Sequence, residues 1–288
     1  MTDKKFCLVS DLHLDINNTN ILKFGFIKKL ENIDYLLIAG DTSGSYFNEL
    51  DNLEMLRDYI SNNNLKTRVV TIGGNHSWYD FKEEFISKNT GITMLSNSFN
   101  EDPIYFLENN IFEDEDIIIF GATLYTDLKL FGDINLALCY HKYMNDFRYV
   151  YKEAKNQNLP VTPFDYMKWH TDTMEKLKEI CEKYKDKDIV VVTHHAPYNQ
   201  SISPEYVNDF LNPFYASDLS KFILKNQNIK TWCHGHIHSN SDYNIGKTNI
   251  LCNPYGYANY EGKVKPQKYI GKEFVLTVKG KPSALAER

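Results

Sequence analysis

Three histidines alternate with other residues late in the chain, in the stretch TWCHGHIHS at residues 231–239. In an extended backbone alternate side chains leave on the same face, so His234, His236 and His238 would point together. Imidazole is a common ligand of divalent transition metals, although a solvated strand end can also carry histidines without any function. The stretch raises the hypothesis of a metal site.

Polar residues of the same kind follow four other short apolar runs. The five runs are rich in Val, Ile and Leu, which is typical of buried strands, and they span residues 5–10, 34–40, 68–74, 188–193 and 229–233. The polar residues at their ends are Asp11, His13, Asp41, Asn75, His76, His194, His195, His234, His236 and His238. Ligands of layered α/β proteins gather at the carboxyl ends of strands, so this distribution predicts one shared site.

Taken singly, each of these residues has an ordinary structural explanation, such as a turn aspartate or an asparagine in a left-handed turn. Taken together, they offer carboxylate, imidazole and carboxamide groups without a thiolate. Such a set suits a divalent transition-metal ion, namely Mn, Fe, Co, Ni or Zn. There are more candidate ligands than one ion needs, and one of the carboxylates could bind two ions at once. We therefore expect two divalent ions a few ångströms apart.

The segments between the runs indicate how the site is positioned. Helical spacing of apolar residues occurs at residues 21–30, 50–60 and 167–184, and a further strand is predicted at residues 116–124. Strands that alternate with helices predict a layered α/β fold. We expect a single domain over residues 1–288, with an insertion or cap at about residues 125–170 and a loose tail at residues 282–288.

Composition narrows the classes of function. No apolar run of the 288 residues approaches the length that a membrane helix needs, and the amino terminus lacks a secretory pattern, so we expect a cytoplasmic protein without membrane contact. A net charge of −6, with 32 basic against 38 acidic residues, disfavours nucleic acid polymers as partners. The five cysteines form no C-x-x-C pair and are expected to be buried. The oligomeric state stays open.

The order of the polar blocks resembles that of the calcineurin-like metallophosphoesterase superfamily. The blocks D-x-H, G-D, G-N-H, an isolated H and G-H-x-H occur here at residues 11–13, 40–41, 74–76, 194 and 235–238. The resemblance extends from about residue 5 to residue 260. It implies a four-layer αββα sandwich of two mixed β-sheets flanked by helices, with a two-metal centre above the strand ends.

The resemblance also implies roles for single residues. By motif, the first ion would be held by Asp11, His13 and His238, the second by Asn75, His194 and His236, and Asp41 would bridge them. His76 would be a general acid or transition-state donor, with simple packing beside the centre as the alternative. Strand length favours His194 over His195 as the ligand, which leaves His195 to face the substrate. For His234 we expect support of the ligands or plain exposure.

These roles imply a metal-dependent phosphoesterase that acts through a hydroxide bridging two ions. A small phosphodiester is the substrate that we favour, with Tyr125, Tyr140 and Tyr143 of the insertion contacting its organic group. Gly73 stands where serine/threonine phosphatases of the superfamily have an arginine, which argues against that subgroup. A phosphomonoesterase, a nuclease and a catalytically inactive scaffold of the same fold remain alternatives. At Ser77 the chain departs from relatives, which commonly have an acidic residue there.

Overall fold

The structure, a computed structural model, describes residues 2–80, 87–114, 117–154, 157–258, 262 and 264–278. Its strands are β1 (Thr2–Val9), β2 (Tyr35–Ile38), β3 (Arg68–Ile72), β4 (Asn100–Glu101), β5 (Ile104–Leu107), β6 (Asn110–Asp114), β7 (Ile117–Ala122), β8 (Tyr151–Ala154), β9 (Gln157–Pro160), β10 (Asp188–Thr193), β11 (Ile229–His234), β12 (Ser241–Ile245), β13 (Thr248–Cys252) and β14 (Lys272–Val278). Its α-helices are α1 (Tyr46–Asn62), α2 (Lys88–Ser98), α3 (Ile134–Tyr140), α4 (Asp146–Tyr149), α5 (Pro163–Lys183) and α6 (Ser220–Lys225). Short 3₁₀ helices include Ile21–Lys23, Gly25–Asn32 and His76–Trp78.

The strands form two mixed six-stranded sheets with the same plan. The first has the order β14-β1-β2-β3-β5-β4 and the second the order β12-β13-β11-β10-β7-β6. In each sheet the four central strands are parallel and the two edge strands run antiparallel to their neighbours. All central strands of a sheet therefore end at one edge, which is the arrangement that the resemblance implies.

Alternation along the central strands explains why the sheets stack. In β1, Phe6 and Leu8 face the second sheet, whereas Cys7 and Val9 face the helices on the outer side. The second sheet divides its apolar residues in the same way, with an outer cluster that includes Trp232 and packs on α5 and α6. Strands that are buried on both faces need continuous apolar runs, and this is the pattern that the sequence shows. The layers are helix, sheet, sheet and helix.

Local capping fixes the start of two helices, α1 and α5. The Ser45 hydroxyl accepts a hydrogen bond from the Asn48 backbone N–H at 3.4 Å at the start of α1. At the start of α5, the Asp165 carboxylate accepts from the Thr162 backbone N–H at 2.7 Å and from the Lys152 ammonium at 2.6 Å. Lys152 lies on β8, so this cap also ties α5 to the predicted insertion.

The sequence predictions for secondary structure are confirmed in the strands and in the helices at residues 50–60 and 167–184, which correspond to α1 and α5, and they are corrected at residues 21–30. The run at residues 21–30 has 3₁₀ rather than α-helical geometry, and a Cβ at Gly25 would lie 2.4 Å from the Gln267 carbonyl oxygen, so the chain is crowded there. Cys139 is exposed on α3, whereas the other four cysteines are buried as expected. Residues 125–170 contain α3, α4 and the β8–β9 hairpin, although their sequence shows no clear period.

Two predictions concern the chain as a whole. Among the described residues, no helix has both the length and the apolar character that crossing a bilayer requires. The expected tail at residues 282–288 lies outside the described residues. A single domain over residues 1–288 stays a prediction.

Candidate metal centre

The candidate ligands lie at the edge where the central strands of both sheets end. In the first sheet β1, β2 and β3 lead into Asp11, Asp41 and Asn75. In the second sheet β10 leads into His194, and β11 ends two residues before His236. Five chain segments are therefore brought together by the parallel order of the strands.

Five of the candidate ligands have a left-handed backbone conformation. Their φ angles are 53° at Asp11, 42° at His13, 50° at Asp41, 67° at His236 and 52° at His238. This conformation costs a residue with a side chain roughly 1–2 kcal/mol, and it persists where the surrounding structure enforces it. Here the Asp11 and His13 backbone N–H groups donate to the carbonyl oxygens of Gly40 and Asp41, both at 3.1 Å. These two hydrogen bonds hold the turn of the D-x-H block, after β1, against the turn of the G-D block, after β2.

The three alternating histidines are not arranged as an extended strand. Because β11 ends at His234 and the two following histidines have left-handed φ angles, the premise of a shared strand face was wrong. The His234 ring is buried, with Nε2 2.8 Å from the Ser201 hydroxyl and Nδ1 2.9 Å from the Gly235 carbonyl oxygen. His234 therefore supports the backbone of the G-H-x-H motif, and the alternative that its side chain is exposed to solvent is excluded.

Asp11, His13 and His238 form the first group of candidate ligands. The Nε2 atoms of His13 and His238 lie 3.1 Å apart, and His238 Nε2 lies 3.5 Å from Asp11 Oδ1. The Ser10 hydroxyl donates to Asp11 Oδ2 at 2.5 Å, and the His236 backbone N–H donates to Asp11 Oδ1 at 2.9 Å. The Asp11 carboxylate is therefore held from both sheets.

Asp41, His194 and His236 form the second group, and Asn75 lies beside it. His194 Nε2 is 3.2 Å from Asp41 Oδ2 and 2.9 Å from Asn75 Oδ1. The same oxygen of Asp41 is 3.8 Å from His13 Nε2 in the first group. One carboxylate oxygen therefore lies between the two groups, where a bridging ligand would be.

The spacing of these atoms fits a metal coordination shell. Two ligands about 2.1 Å from one ion, at angles of 90–109°, lie roughly 3.0–3.4 Å apart. The separations within the two groups, 2.9, 3.1, 3.2 and 3.5 Å, cover that range. His236 Nε2 is buried without a hydrogen-bond partner among the described residues, so its lone pair is available. The residues present therefore fit divalent transition-metal ions.

Burial and neighbouring charges have opposite effects on the pKa values of the candidate ligands, and a different one of the two prevails at each residue. Burial disfavours the charged form of His194, but the adjacent Asp41 carboxylate outweighs it and raises the pKa of His194 to about 9. Burial lowers the pKa of His13 to about 3, so that ring is neutral, the form in which imidazole binds a metal ion. The pKa of Asp41 lies well below its ordinary value because the surrounding histidines outweigh its burial. A metal ion would displace the proton of His194.

Two glycines of the motifs let the backbone approach the ligands closely. A Cβ at Gly74 would lie 2.0 Å from Asp41 Oδ1, and a Cβ at Gly40 would lie 2.5 Å from His194 Nδ1. Gly40 also has a φ of +83°, which side chains rarely tolerate. Both positions therefore require glycine.

His76 lies between the ligand groups and the solvent. Its backbone N–H donates to Asp41 Oδ1 at 2.9 Å, and its Nε2 lies 3.2 Å from the Tyr257 hydroxyl. The ring stacks on Tyr79, with 4.3 Å between centroids, and packs edge-on against His13 at 4.8 Å. The backbone contact and the two ring contacts hold the imidazole at the mouth of the site.

Ser77, the residue after His76, and Glu49 of α1 lie close together behind the G-N-H turn. The Ser77 hydroxyl accepts a hydrogen bond from the Gly74 N–H at 3.0 Å, which supports the G-N-H turn. Glu49 projects from α1 and is fully buried, with the hydroxyls of Ser77 and Thr42 near its carboxyl group. Neither carboxyl oxygen has a hydrogen bond of normal geometry to a described residue. Burial raises the pKa of Glu49 to about 8.

His195 occupies a different position from its neighbour His194. Its ring is fully buried, its Nδ1 lies 3.2 Å from the Thr123 carbonyl oxygen, and its centroid is 4.3 Å from that of His236. Burial lowers the pKa of His195 to about 3. The structure therefore places His194 among the ligand groups and His195 behind His236, not on the wall of the cleft described next.

A cleft of about 390 Å³ opens above the two groups, with Asp41, Asn75, His76, His236 and His238 at its floor. Its walls carry the tyrosines Tyr79, Tyr143, Tyr206, Tyr215 and Tyr257 and the acidic residues Asp146 and Asp209. No lysine or arginine is among the described residues that line it. Of the three tyrosines predicted to contact substrate, only Tyr143 lines this cleft, because Tyr125 is buried and Tyr140 stacks on Phe210.

Three residues of the site were missed by the sequence predictions. Tyr79 lies three positions after His76 in the same short turn, so its proximity could have been inferred. Tyr257 belongs to a segment with several turn-forming residues, NPYGYANYEG at residues 253–262, whose sequence predicts a turn. Asp146 lies in the segment without periodicity, and nothing in the sequence connects it with the strand ends.

Comparison with known proteins agrees with this geometry. An uncharacterised protein of Acanthamoeba polyphaga mimivirus is 28% identical over 282 residues, which cover 93% of this chain and 96% of that protein. The fold is similar to that of the phosphopantetheinyl hydrolase of Mycobacterium tuberculosis, with a TM-score of 0.62, 13% sequence identity, and 89% of this chain and 91% of that chain covered. The second comparison concerns the fold alone.

The family described as calcineurin-like phosphoesterase matches residues 4–240, which is most of the chain and includes every candidate ligand. The resemblance stated from the motifs and the sandwich of two mixed sheets agree with this match. The chain belongs to the calcineurin-like phosphoesterase family and is a hydrolase of phosphate esters.

Proposed function

We propose that this protein hydrolyses a small phosphodiester at a centre of two divalent ions, with Mn, Fe, Co, Ni and Zn as candidates. The observation that carries the proposal is the convergence of seven candidate ligands from five strand ends below one cleft. In this proposal the first ion is held by Asp11, His13 and His238, the second by Asn75, His194 and His236, and both by Asp41.

When bound, the two ions would supply a water of lowered pKa and would neutralise charge on the phosphoryl oxygens. The side chains supply orientation and a proton. His76 lies at the mouth of the site, where its ring can donate to the oxygen of the leaving group. The Tyr257 hydroxyl, 3.2 Å from His76 Nε2, holds the ring in place until substrate displaces that contact. Asp41 fixes the backbone of His76 through its second oxygen.

The charge of the cleft supports a substrate with one phosphate. Phosphate groups in proteins are normally paired with arginine or lysine, and the described lining has neither. Asp146 and Asp209 would repel a second phosphate beyond the metal centre, whereas the tyrosines can stack on or hydrogen-bond to a neutral organic group. The net charge of −6 also opposes polyanions. Phosphopeptides, polyphosphates and nucleic acids are therefore expected to be poor substrates.

A substrate panel tests this proposal. It compares bis-p-nitrophenyl phosphate, p-nitrophenyl phosphate, cyclic nucleotides, dinucleoside polyphosphates, a phosphopeptide and DNA, each with added Mn²⁺. We expect the highest kcat/KM for a small diester with a single phosphate. Faster hydrolysis of the phosphopeptide, or faster cleavage of DNA, would contradict the substrate class and leave the metal centre intact. A protein that holds both ions and hydrolyses none of these compounds would favour the inactive scaffold.

The role of His76 has its own test. His76→Ala should retain its metal content and lose about 10²-fold in kcat, the usual size of a general-acid contribution. The loss should be smaller for a p-nitrophenyl leaving group, which needs little protonation, than for an alkyl leaving group. Tyr257→Phe is the matched control, because it removes the partner of the ring and leaves the donor. Equal losses with both leaving groups would assign His76 to phosphate binding instead.

A further inference from the structure

The two proposed ligand sets differ in charge. The first ion has the Asp11 carboxylate to itself and a share of Asp41. The second ion has the neutral ligands Asn75, His194 and His236, and its only carboxylate is the shared Asp41. Without further negative charge nearby, the second ion would be held less tightly than the first.

A chain of hydrogen bonds leads from Asn75 to a buried carboxylate on another part of the molecule. The Asn75 side-chain nitrogen Nδ2 donates to the Tyr79 hydroxyl oxygen at 3.2 Å. The Tyr79 hydroxyl donates to Asp146 Oδ2 at 3.0 Å. A phenol carries its proton at neutral pH, so the Tyr79 hydroxyl can donate one hydrogen bond and accept others.

The direction of these bonds fixes the orientation of the Asn75 amide. A carboxylate only accepts, so the single proton of the Tyr79 hydroxyl points to Asp146. The Tyr79 oxygen then accepts from Asn75, which turns Nδ2 toward Tyr79 and the carbonyl oxygen Oδ1 toward His194, 2.9 Å from its Nε2. The amide therefore presents its ligating oxygen to the site of the second ion.

Asp146 has the properties of a buried counter-charge. Its side chain is 1% exposed and accepts a second hydrogen bond from the Tyr166 hydroxyl. No ion pair joins it to a lysine, arginine or histidine in the part of the chain that the structure describes. Its negative charge is therefore stabilised by hydroxyl groups. Because hydrogen bonds in series strengthen one another, this charge can polarise the Tyr79 hydroxyl and, through it, the Asn75 amide.

We infer that Asp146, acting through Tyr79, is a positioning residue that orients Asn75 and supplies the second metal ion with remote negative charge. The inference rests on the proposed two-ion function. It also gives the insertion a role, since Asp146 lies on α4 between the β7 end and the β8–β9 hairpin. Affinity for the second ion then depends on a residue that lies outside the strand-end motifs.

The test is a titration of metal-free protein with Mn²⁺, followed by electron paramagnetic resonance and calorimetry, which resolve the two sites. Tyr79→Phe and Asp146→Asn should each raise the Kd of the second site by about 10–100-fold and leave that of the first site unchanged. The double variant should be no worse than the weaker-binding single variant, because both changes break one chain. Tyr166→Phe is the matched control, since it removes a hydroxyl from Asp146 without interrupting the path to Asn75.

The outcomes separate this inference from the proposed function. The inference would be overturned if the losses of affinity in the two variants were additive, if both metal sites were weakened equally, or if a correctly folded variant kept the wild-type Kd at the second site. The proposed function would still stand in each case, provided that the wild-type protein binds two ions and has phosphodiesterase activity. A wild-type protein that binds fewer than two ions would overturn both. Thermal unfolding of each variant in chelator checks that the fold is retained, and Asp146→Glu, which keeps the charge, should recover second-site affinity in part if charge is the cause.

Discussion

Replacing the buried Glu49 should change how stability depends on pH. Glu49 is fully buried, and burial raises its pKa from 4.5 to about 8. A group whose pKa is higher in the folded than in the unfolded state stabilises the fold below the unfolded value. That stability is lost progressively as pH rises from about 4.5 to about 8. Glu49→Gln has no charge to bury, so it lacks this loss.

The magnitude follows from the two pKa values. Each pH unit in that window costs about 1.4 kcal/mol, so the wild-type protein is less stable than expected for a neutral side chain by roughly 3 kcal/mol at pH 7 and by about 1 kcal/mol at pH 5. The Glu49→Gln substitution has its own constant effect on packing. The difference in free energy of unfolding between the variant and the wild type should change by about 2–3 kcal/mol in favour of the variant from pH 5 to pH 7, and this change does not depend on the packing effect.

Chemical denaturation of both proteins in chelator at pH 5 and pH 7 measures this change. Glu54→Gln, on the same helix, is the control, because it removes a half-exposed carboxylate in place of a buried one. Parallel pH profiles for wild type and Glu49→Gln would refute the reasoning, because Glu49 would then be ionised in the folded protein. Added Mn²⁺ should flatten the wild-type profile, since nearby dications favour the carboxylate.

Four further predictions follow from features of the site and of the surrounding fold. Asp41→Asn should remove both ions, measured by elemental analysis, because it weakens the one ligand that both share; Gly74→Ala should do the same, since its Cβ would lie 2.0 Å from Asp41 Oδ1. Asp165→Asn should lower the free energy of unfolding by about 1 kcal/mol at pH 7 and by less at pH 3. Its partner Lys152 outweighs burial and holds the pKa of Asp165 below its ordinary value, so the stability is lost as pH falls. In native protein one thiol, Cys139, should react rapidly with a thiol reagent, because the other four cysteines are buried.

The strands and the ligand groups could be predicted because they obey local rules. A strand buried on both faces needs a continuous apolar run, and a parallel sheet places the ends of such runs at one edge. Asp11, Asp41 and His194 were found in this way, from their position after a run.

The remaining features depend on contacts between distant segments. The sequence around Asp146 gives no indication of its role. Asp146 is connected to Asn75, which lies 71 positions earlier (146 − 75), only through the hydroxyl of Tyr79. The substrate role of His195 could not be judged from sequence either, because a single position decides whether a side chain faces the centre or lies behind it. Left-handed φ angles at His236 and His238 were not anticipated, since propensity disfavours them there.

The division of ligands between the sheets has a mechanical consequence. Among the described residues the two sheets share packed side chains and the isolated bridge of Ser10 with Pro254, but no ladder of paired strands. In the proposed ligand sets each ion joins side chains of both sheets. Each ion would therefore add a cross-link to the apolar contacts and to hydrogen bonds, such as that from the His236 N–H to Asp11 Oδ1, that already join the two halves. Metal removal should therefore speed amide hydrogen exchange at the carboxyl ends of β10 and β11 and leave the opposite ends of these strands protected.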